Sequence, residues 1–150
     1  MISDFDENGK LPPGIHWATW EEFTDRFGTT PRRLRLIQGL KLAMEELQAA
    51  GCQTIYIDGS FITEKRNPGD FDACWDENGV DLNDLQSLAP TLYNFAQKRA
   101  EQKVRYGGEI FPASYPADIS GTPFIDFFQF DTITDTRKGI LAIDLVRYLP

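Results

Sequence analysis

Two short stretches hold the residue types that can do chemistry: Ile57-Asp58-Gly59-Ser60 and, after nine intervening residues, Asp70-Phe71-Asp72-Ala73. In an extended chain alternate residues face one side, so Asp70 and Asp72 present two carboxylates together. Carboxylates that close raise each other's pKa unless a cation sits between them. Hard oxygen ligands suit Mg²⁺, which is usually held by one or two carboxylates plus substrate phosphates. Gly59 lets a phosphate approach the backbone closely. Ser60 adds a hydroxyl donor, and backbone N–H groups freed at a strand end can form an anion nest. The parts form a phosphate cradle facing a metal clamp. An Asp-x-Asp after Pro-Gly, standing alone, would read as a turn with a solvated strand edge. A strand-Gly-Ser ahead of it at this distance favours the metal.

Local signals predict the elements that must position these groups. Leu11-Pro12-Pro13-Gly14 forbids a helix, so residues 1–18 are expected to form an extended N-terminal segment. Thr19-Trp20-Glu21-Glu22 has capping-box spacing and opens a short helix that Gly28 ends. Thr30 caps a second helix, Pro31 fits its first position and Gly51 follows its end. Leu36, Leu40, Ala43, Leu47 and Ala50 give that helix an apolar face, and Arg32, Arg33, Arg35 and Lys41 are expected to decorate the rest. Thr54-Ile55-Tyr56-Ile57 reads as a strand that Asp58-Gly59-Ser60 ends. A loop runs to Pro68-Gly69, where the chain turns so that a second strand, Asp70 to Trp75, lies beside the first. Asp81 to Arg105 is expected to be helical with a break at Pro90. Glu109-Ile110-Phe111 reads as a third strand cut by Pro112, Phe124 to Phe130 as a short aromatic helix, and Gly139 to Val146 as a final strand. The order predicts one α+β domain spanning residues 1–150, a small mixed sheet flanked by helices.

Composition bounds the setting. A chain of 150 residues with 41% apolar content, 11 Phe and 3 Trp can fill one core. No run approaches the ~18 apolar residues of a membrane helix, so no membrane association is expected. The acidic, polar opening is not expected to be the front of a signal peptide. Cys52 and Cys74 are too few for a disulfide framework and lack metal spacing, which points to reduced thiols and a cytoplasmic location. A net charge of −8 argues against non-specific DNA binding, which rests on Lys and Arg neutralising phosphates. An acidic protein that handles nucleotides needs metal ions between like charges.

The pattern resembles the nucleotidyltransferase superfamily. Its mark is an apolar strand ending in Gly-Gly or Gly-Ser, then an acidic-apolar-acidic triplet about ten residues later, then a third carboxylate on a later strand. Gly59, Ser60, Asp70 and Asp72 match the first two elements, while Asp58 stands where most members carry an apolar residue. The chain is also similar to small bacterial proteins allied to that superfamily, through Leu11 to His16, Gly59 to Phe61, Pro68 to Asp72 and Phe111 to Ala113. The resemblance implies a nucleotidyltransferase-like fold in which Asp70 and Asp72 hold two Mg²⁺ ions at a nucleoside triphosphate such as ATP. A third carboxylate would bind the second ion and help activate an acceptor hydroxyl. Glu109 is the candidate, because it opens the strand after the second helical region; Asp126, Asp118 and Asp144 are the alternatives. Small members often occur in toxin–antitoxin pairs, which implies a toxin-like modifier and an antitoxin protein partner.

Other residues carry two readings each. Lys65 and Arg66, in the loop between the motifs, are candidates for the β- or γ-phosphate or are simply solvated. Lys98, Arg99, Lys103 and Arg105 suit a triphosphate or RNA backbone, but a solvated helix face is the expectation. His16, the only histidine, is expected to pack structurally, and Cys74 to be buried. Phe124, Phe127, Phe128 and Phe130 are expected in the core, with base stacking as the alternative. The leading expectation is a Mg²⁺-dependent enzyme moving a nucleoside monophosphate from a triphosphate to a hydroxyl of a protein, an RNA or a small molecule. The alternatives are a catalytically inactive binding module of the same fold, acting through a protein partner, and a metal-dependent phosphohydrolase.

Overall fold

The first helix begins where its capping box predicts. In the computed structural model, which describes residues 2–131 and 133–147 and leaves residues 1, 132 and 148–150 outside the description, α1 runs Trp20–Phe27. Thr19 Oγ1 accepts from the Glu22 N–H at 3.1 Å, and the Thr19 N–H donates to Glu22 Oε1 at 3.0 Å. Thr30 caps α2, Pro31–Ala49, with Pro31 in the first turn. Within α2, a Cβ on Gly39 would collide with the Tyr106 carbonyl, so only glycine lets the two segments cross this closely.

The strands are β1 (Gly14–Ala18), β2 (Thr54–Asp58), β3 (Phe71–Trp75), β4 (Gly108–Pro112), β5 (Phe130–Asp131), β6 (Thr136–Arg137) and β7 (Gly139–Asp144). Five of them form one mixed sheet in the order β1-β7-β2-β3-β4. β1 pairs with β7 and β3 with β4 in parallel, while β2 is antiparallel to both β7 and β3. β5 and β6 pair separately. The remaining helices are α3 (Leu82–Leu88), α4 (Ala96–Tyr106) and α5 (Phe124–Phe127). The chain is therefore α+β with a mixed sheet and flanking helices, as its element order predicts.

The two faces of the sheet differ because side chains alternate along each strand. Ile55, Ile57, Ala73, Trp75, Ile110, Leu141 and Ile143 point to the back, where they pack with Phe23, Phe27, Leu40, Met44 and Leu47 of α1 and α2. The front carries a smaller cluster of Cys74, Phe111, Ala113, Phe128 and Ile140, with Tyr56, Phe95, Phe124 and Phe127 packed against it. Among the described residues no helix is long and apolar enough to cross a membrane.

Within the extended N-terminal segment Gly14–Ala18 is a strand, because β7 offers it a parallel partner from the far end of the chain. Two expectations need correcting. The helical stretch from Asp81 breaks over a wider span than Pro90 alone. Pro90–Tyr93 is a single 3₁₀ turn, and Gln97, Lys98 and Arg99 are left-handed (φ 51°, 57° and 61°). Arg33 does not decorate the surface. It is 2% exposed and donates to the carbonyls of Phe61 (2.5 Å), Thr63 (2.8 Å) and Lys65 (2.5 Å).

Candidate functional site

β2 ends at Asp58 because Gly59 leaves the strand at φ 85°, ψ −171°, a conformation that side chains exclude. A Cβ there would also stand 2.5 Å from Asp72 Oδ2, so Gly59 brings the backbone directly against that carboxylate. Ser60–Ile62 forms one 3₁₀ turn anchored by buried Phe61 and Ile62. Thr63 Oγ1 donates to the Ser60 carbonyl at 2.6 Å. The start of α2 holds the rest of the loop. Arg33 gathers its carbonyls from beneath, and Arg32 donates to those of Pro68 (3.1 Å) and Gly69.

Strand register then assembles the acidic groups. Asp58 lies opposite Asp72 across β2 and β3, and Asp72 lies opposite Glu109 across β3 and β4. Residues in register share a face, so Asp58, Asp72 and Glu109 form a row across three adjacent strands. Asp70 stands just before β3, two residues from Asp72. Burial, then the charges of Asp70, Glu109 and Asp58, push Asp72 up to about 7. Burial first and Glu109 second raise Asp70. Burial raises Asp58 as well, although Lys138 Nζ stands 3.2 Å from Asp58 Oδ1 and opposes it. Glu109 goes the other way. Burial alone would raise it, but Arg99 and Lys103 bring it below the ordinary carboxylate range. Arg99 Nη2 stands 2.7 Å and Lys103 Nζ 3.4 Å from Glu109 Oε1.

Two cavities meet at this row. One, of about 480 Å³, is lined by polar groups that include Lys10, Ser60, Thr63, Lys65 and Lys138. The other, of about 730 Å³, has Asp72, Glu109 and Arg99 beside a set of aromatic rings. Asp58, Gly59, Asp131, Ile133 and Lys138 line both and so form their common wall. Lys10 is ion-paired with Asp131, which ties the N-terminal segment to β5.

The structure brings together Gly59, Ser60, Lys65, Asp70, Asp72 and Glu109 of the sequence candidates. Lys65 lines the polar cavity and its charge reaches Asp70. Arg66 lines neither of these cavities; it lines a third cleft with Phe5, Arg26 and Thr30, which Lys65 borders as well. Among the rivals for a third carboxylate, Asp118 and Asp126 are exposed, and Asp144 ends β7 beside Trp17. Arg99 and Lys103 hold Glu109 and Arg105 holds Glu46 at 3.0 Å, so this helix end is not simply a solvated face. His16 Nε2 lies 2.6 Å from the Pro12 carbonyl, and Cys74 is fully buried with its thiol pushed up by that burial. Sequence reasoning missed Asp58, Lys138 and Arg33 as parts of the site. An acidic residue closing an otherwise apolar strand was the signal for Asp58; Lys138 and Arg33 carried none.

The donor chemistry suits a hard divalent cation: acidic oxygens are crowded together, with Asp72 raised by burial and then by the charges of Asp70, Glu109 and Asp58, and Asp70 raised by burial and then by Glu109. As placed, no three His, Cys, Asp or Glu side chains among the described residues converge into a ready-made metal cluster. Arg99 and Lys103 occupy the position beside Glu109 that a cation would share.

Residues 3–144 match the model of a family of unknown function, DUF6932, and the chain belongs to that family. No curated protein and no solved structure matches it.

Proposed function

We propose that this member of the family is a Mg²⁺-dependent nucleotidyltransferase that moves a nucleoside monophosphate from a nucleoside triphosphate to a hydroxyl of a protein or an RNA. The observation that carries the reading is the carboxylate row. Asp72 lies in register with both Asp58 and Glu109, Asp70 is two residues away, and the Gly59-Ser60 turn stands against Asp72. The sequence resemblance to nucleotidyltransferases supports it through the same residues.

On this reading Asp70, Asp72 and Glu109 would hold Mg²⁺, which neutralises charge between the carboxylates and the phosphates and stabilises the attacking and leaving oxygens. Gly59 admits the triphosphate close to the backbone, and Ser60 and Lys65 bind its outer phosphates from the polar cavity. The acceptor oxygen bonds to the α-phosphorus, the bond from that phosphorus to the bridging oxygen breaks, and pyrophosphate leaves. Glu109, once released from Arg99, takes the acceptor's proton. The biological setting carried by the resemblance is a toxin-like modifier restrained by an antitoxin protein.

One observation favours a second reading, a binding module that keeps the fold and has lost catalysis. Glu109 is held by two cations, and no metal cluster is assembled among the described residues. The two readings separate in a transfer assay with α-³²P-labelled nucleoside triphosphates and Mg²⁺ in cell lysate. The enzyme labels a discrete RNA or protein band with the wild-type chain and not with Asp70→Ala/Asp72→Ala. Absence of label despite metal-dependent nucleotide binding would sink the enzyme and leave the module.

A further inference from the structure

The larger cavity presents apolar rings where a folded chain would ordinarily close its surface. Phe111 and Phe124 stack with centroids 3.9 Å apart and planes 6° apart, and Phe95 continues the stack 5.7 Å from Phe111. Phe127 stands edge-on to Phe124, and Phe130 at the mouth is 39% exposed. Apolar surface left open to water costs free energy that a planar apolar occupant would recover. The same cavity reaches Asp72 and Glu109 and shares its wall with the cleft that holds Lys10, Ser60 and Lys65. A ligand seated across that wall meets apolar rings at one end. At the other it meets Lys10, Lys65 and Lys138 set among Asp58, Glu64 and Asp131, a mixed-charge lining that suits an anionic group carried with Mg²⁺.

We infer that the aromatic cavity is the base subsite for the nucleoside triphosphate and that it selects purines by stacking area rather than by reading base edges. The inference rests on the proposed nucleotide reading and adds which end of the ligand goes where. Phe124 and Phe127 line the cavity with carbon alone and carry no hydrogen-bonding groups, so they contact every base alike and hold the larger ring system longer. Adenine and guanine nucleotides therefore bind equally well and ahead of cytosine and uracil nucleotides. The triphosphate points away from the rings, past Asp58 and Lys138, toward Ser60 and Lys65.

The test is calorimetric titration, with Mg²⁺, of three probes: the α,β-methylene analogues of ATP and CTP, in which carbon replaces the bridging oxygen so that no pyrophosphate can leave, and inorganic tripolyphosphate, which has no base. The wild-type chain is expected to bind the ATP analogue about tenfold or more tightly than tripolyphosphate, with the CTP analogue between them. Phe127→Leu and Phe130→Leu keep apolar bulk but remove a π face. Each should bring the ATP analogue close to tripolyphosphate while leaving tripolyphosphate binding unchanged and the circular dichroism spectrum native. Equal binding of the ATP analogue and tripolyphosphate by wild type, or a base preference that survives both substitutions, overturns the base subsite and leaves the nucleotide reading standing. Failure of all three probes to bind overturns both.

Discussion

Asp58 lies in register with Asp72 across the antiparallel pair of β2 and β3, yet the Lys138 ammonium pairs with Asp58, at 3.2 Å, and not with Asp72. Among the described residues no ion pair reaches Asp72, the most crowded acid of the row. Asp72→Asn keeps the shape and removes the repulsion. In metal-free buffer at neutral pH it should stabilise the fold by about 1–2 kcal/mol, a rise in Tm of roughly 3–6 °C. The same variant should lose Mg²⁺-dependent nucleotide binding. Thermal melts with and without Mg²⁺ and nucleotide check both arms; an unchanged or lower metal-free Tm would mean the charge is not stored there.

Arg99 contributes two hydrogen bonds to Glu109 Oε1, at 3.1 Å and 2.7 Å. Arg99→Ala should cost about 1 kcal/mol without metal, since the pair is partly exposed. If Glu109 then becomes available to a cation, Mg²⁺ restores the loss and binds more tightly than to wild type. Titration of Mg²⁺ followed by Tm measures this, and no gain in Mg²⁺ affinity would exclude Glu109 as a ligand.

Gly59→Ala meets two penalties at once: a backbone at φ 85°, ψ −171° and a Cβ 2.5 Å from Asp72 Oδ2. The expected destabilisation is about 1–3 kcal/mol. Denaturant unfolding would show it as a lower midpoint at unchanged slope.

Arg33 holds the Gly59–Gly69 loop by its carbonyls rather than by an acid. Arg33→Ala leaves several of them without a donor and should cost roughly 3 kcal/mol or more. Arg33→Lys recovers only part, because an ammonium cannot span the same fan of acceptors. Limited trypsin digestion should show faster cutting after Lys65 and Arg66 in both variants, faster in the alanine one.

The Lys10–Asp131 pair contributes the acid end of the pH dependence. Asp131 accepts from Lys10 and from the Ile133 N–H at 2.9 Å, and these hold it down at about 2 against an ordinary 3.8. A depressed carboxylate stabilises the folded state above its unfolded pKa, so this contribution is complete above about pH 4 and is lost as pH falls through about 2. Asp131→Asn should flatten that part of the acid-unfolding curve, and a curve of unchanged shape would show the pair to be inert.

Much of the fold was written locally. Thr19 with Glu22, and Thr30 with Pro31, state their helix starts within four residues, because a cap works through the nearest turn. Gly59-Ser60 was equally legible, since a glycine there ends the strand, whereas the expected strand start at Asp70 falls one residue later, at Phe71. What no short window held was the partner of each. Whether Gly14–Ala18 pairs with β7, whether Lys10 finds Asp131 and whether Arg33 turns inward depend on residues far along the chain.

By itself the sequence determined the helix caps, the Gly-Ser turn and the paired aspartates, all consequences of residue type and spacing over one or two turns of chain. Only the tertiary structure decided that Asp58, Asp72 and Glu109 would stand in one row, that Arg99 would hold Glu109, and that aromatic rings would wall the space above them. The reason is register. A shift of one residue between neighbouring strands would turn Asp58 or Glu109 to the opposite face, and what prevents it is the packing of Ile57, Ala73 and Ile110 on the back of the sheet.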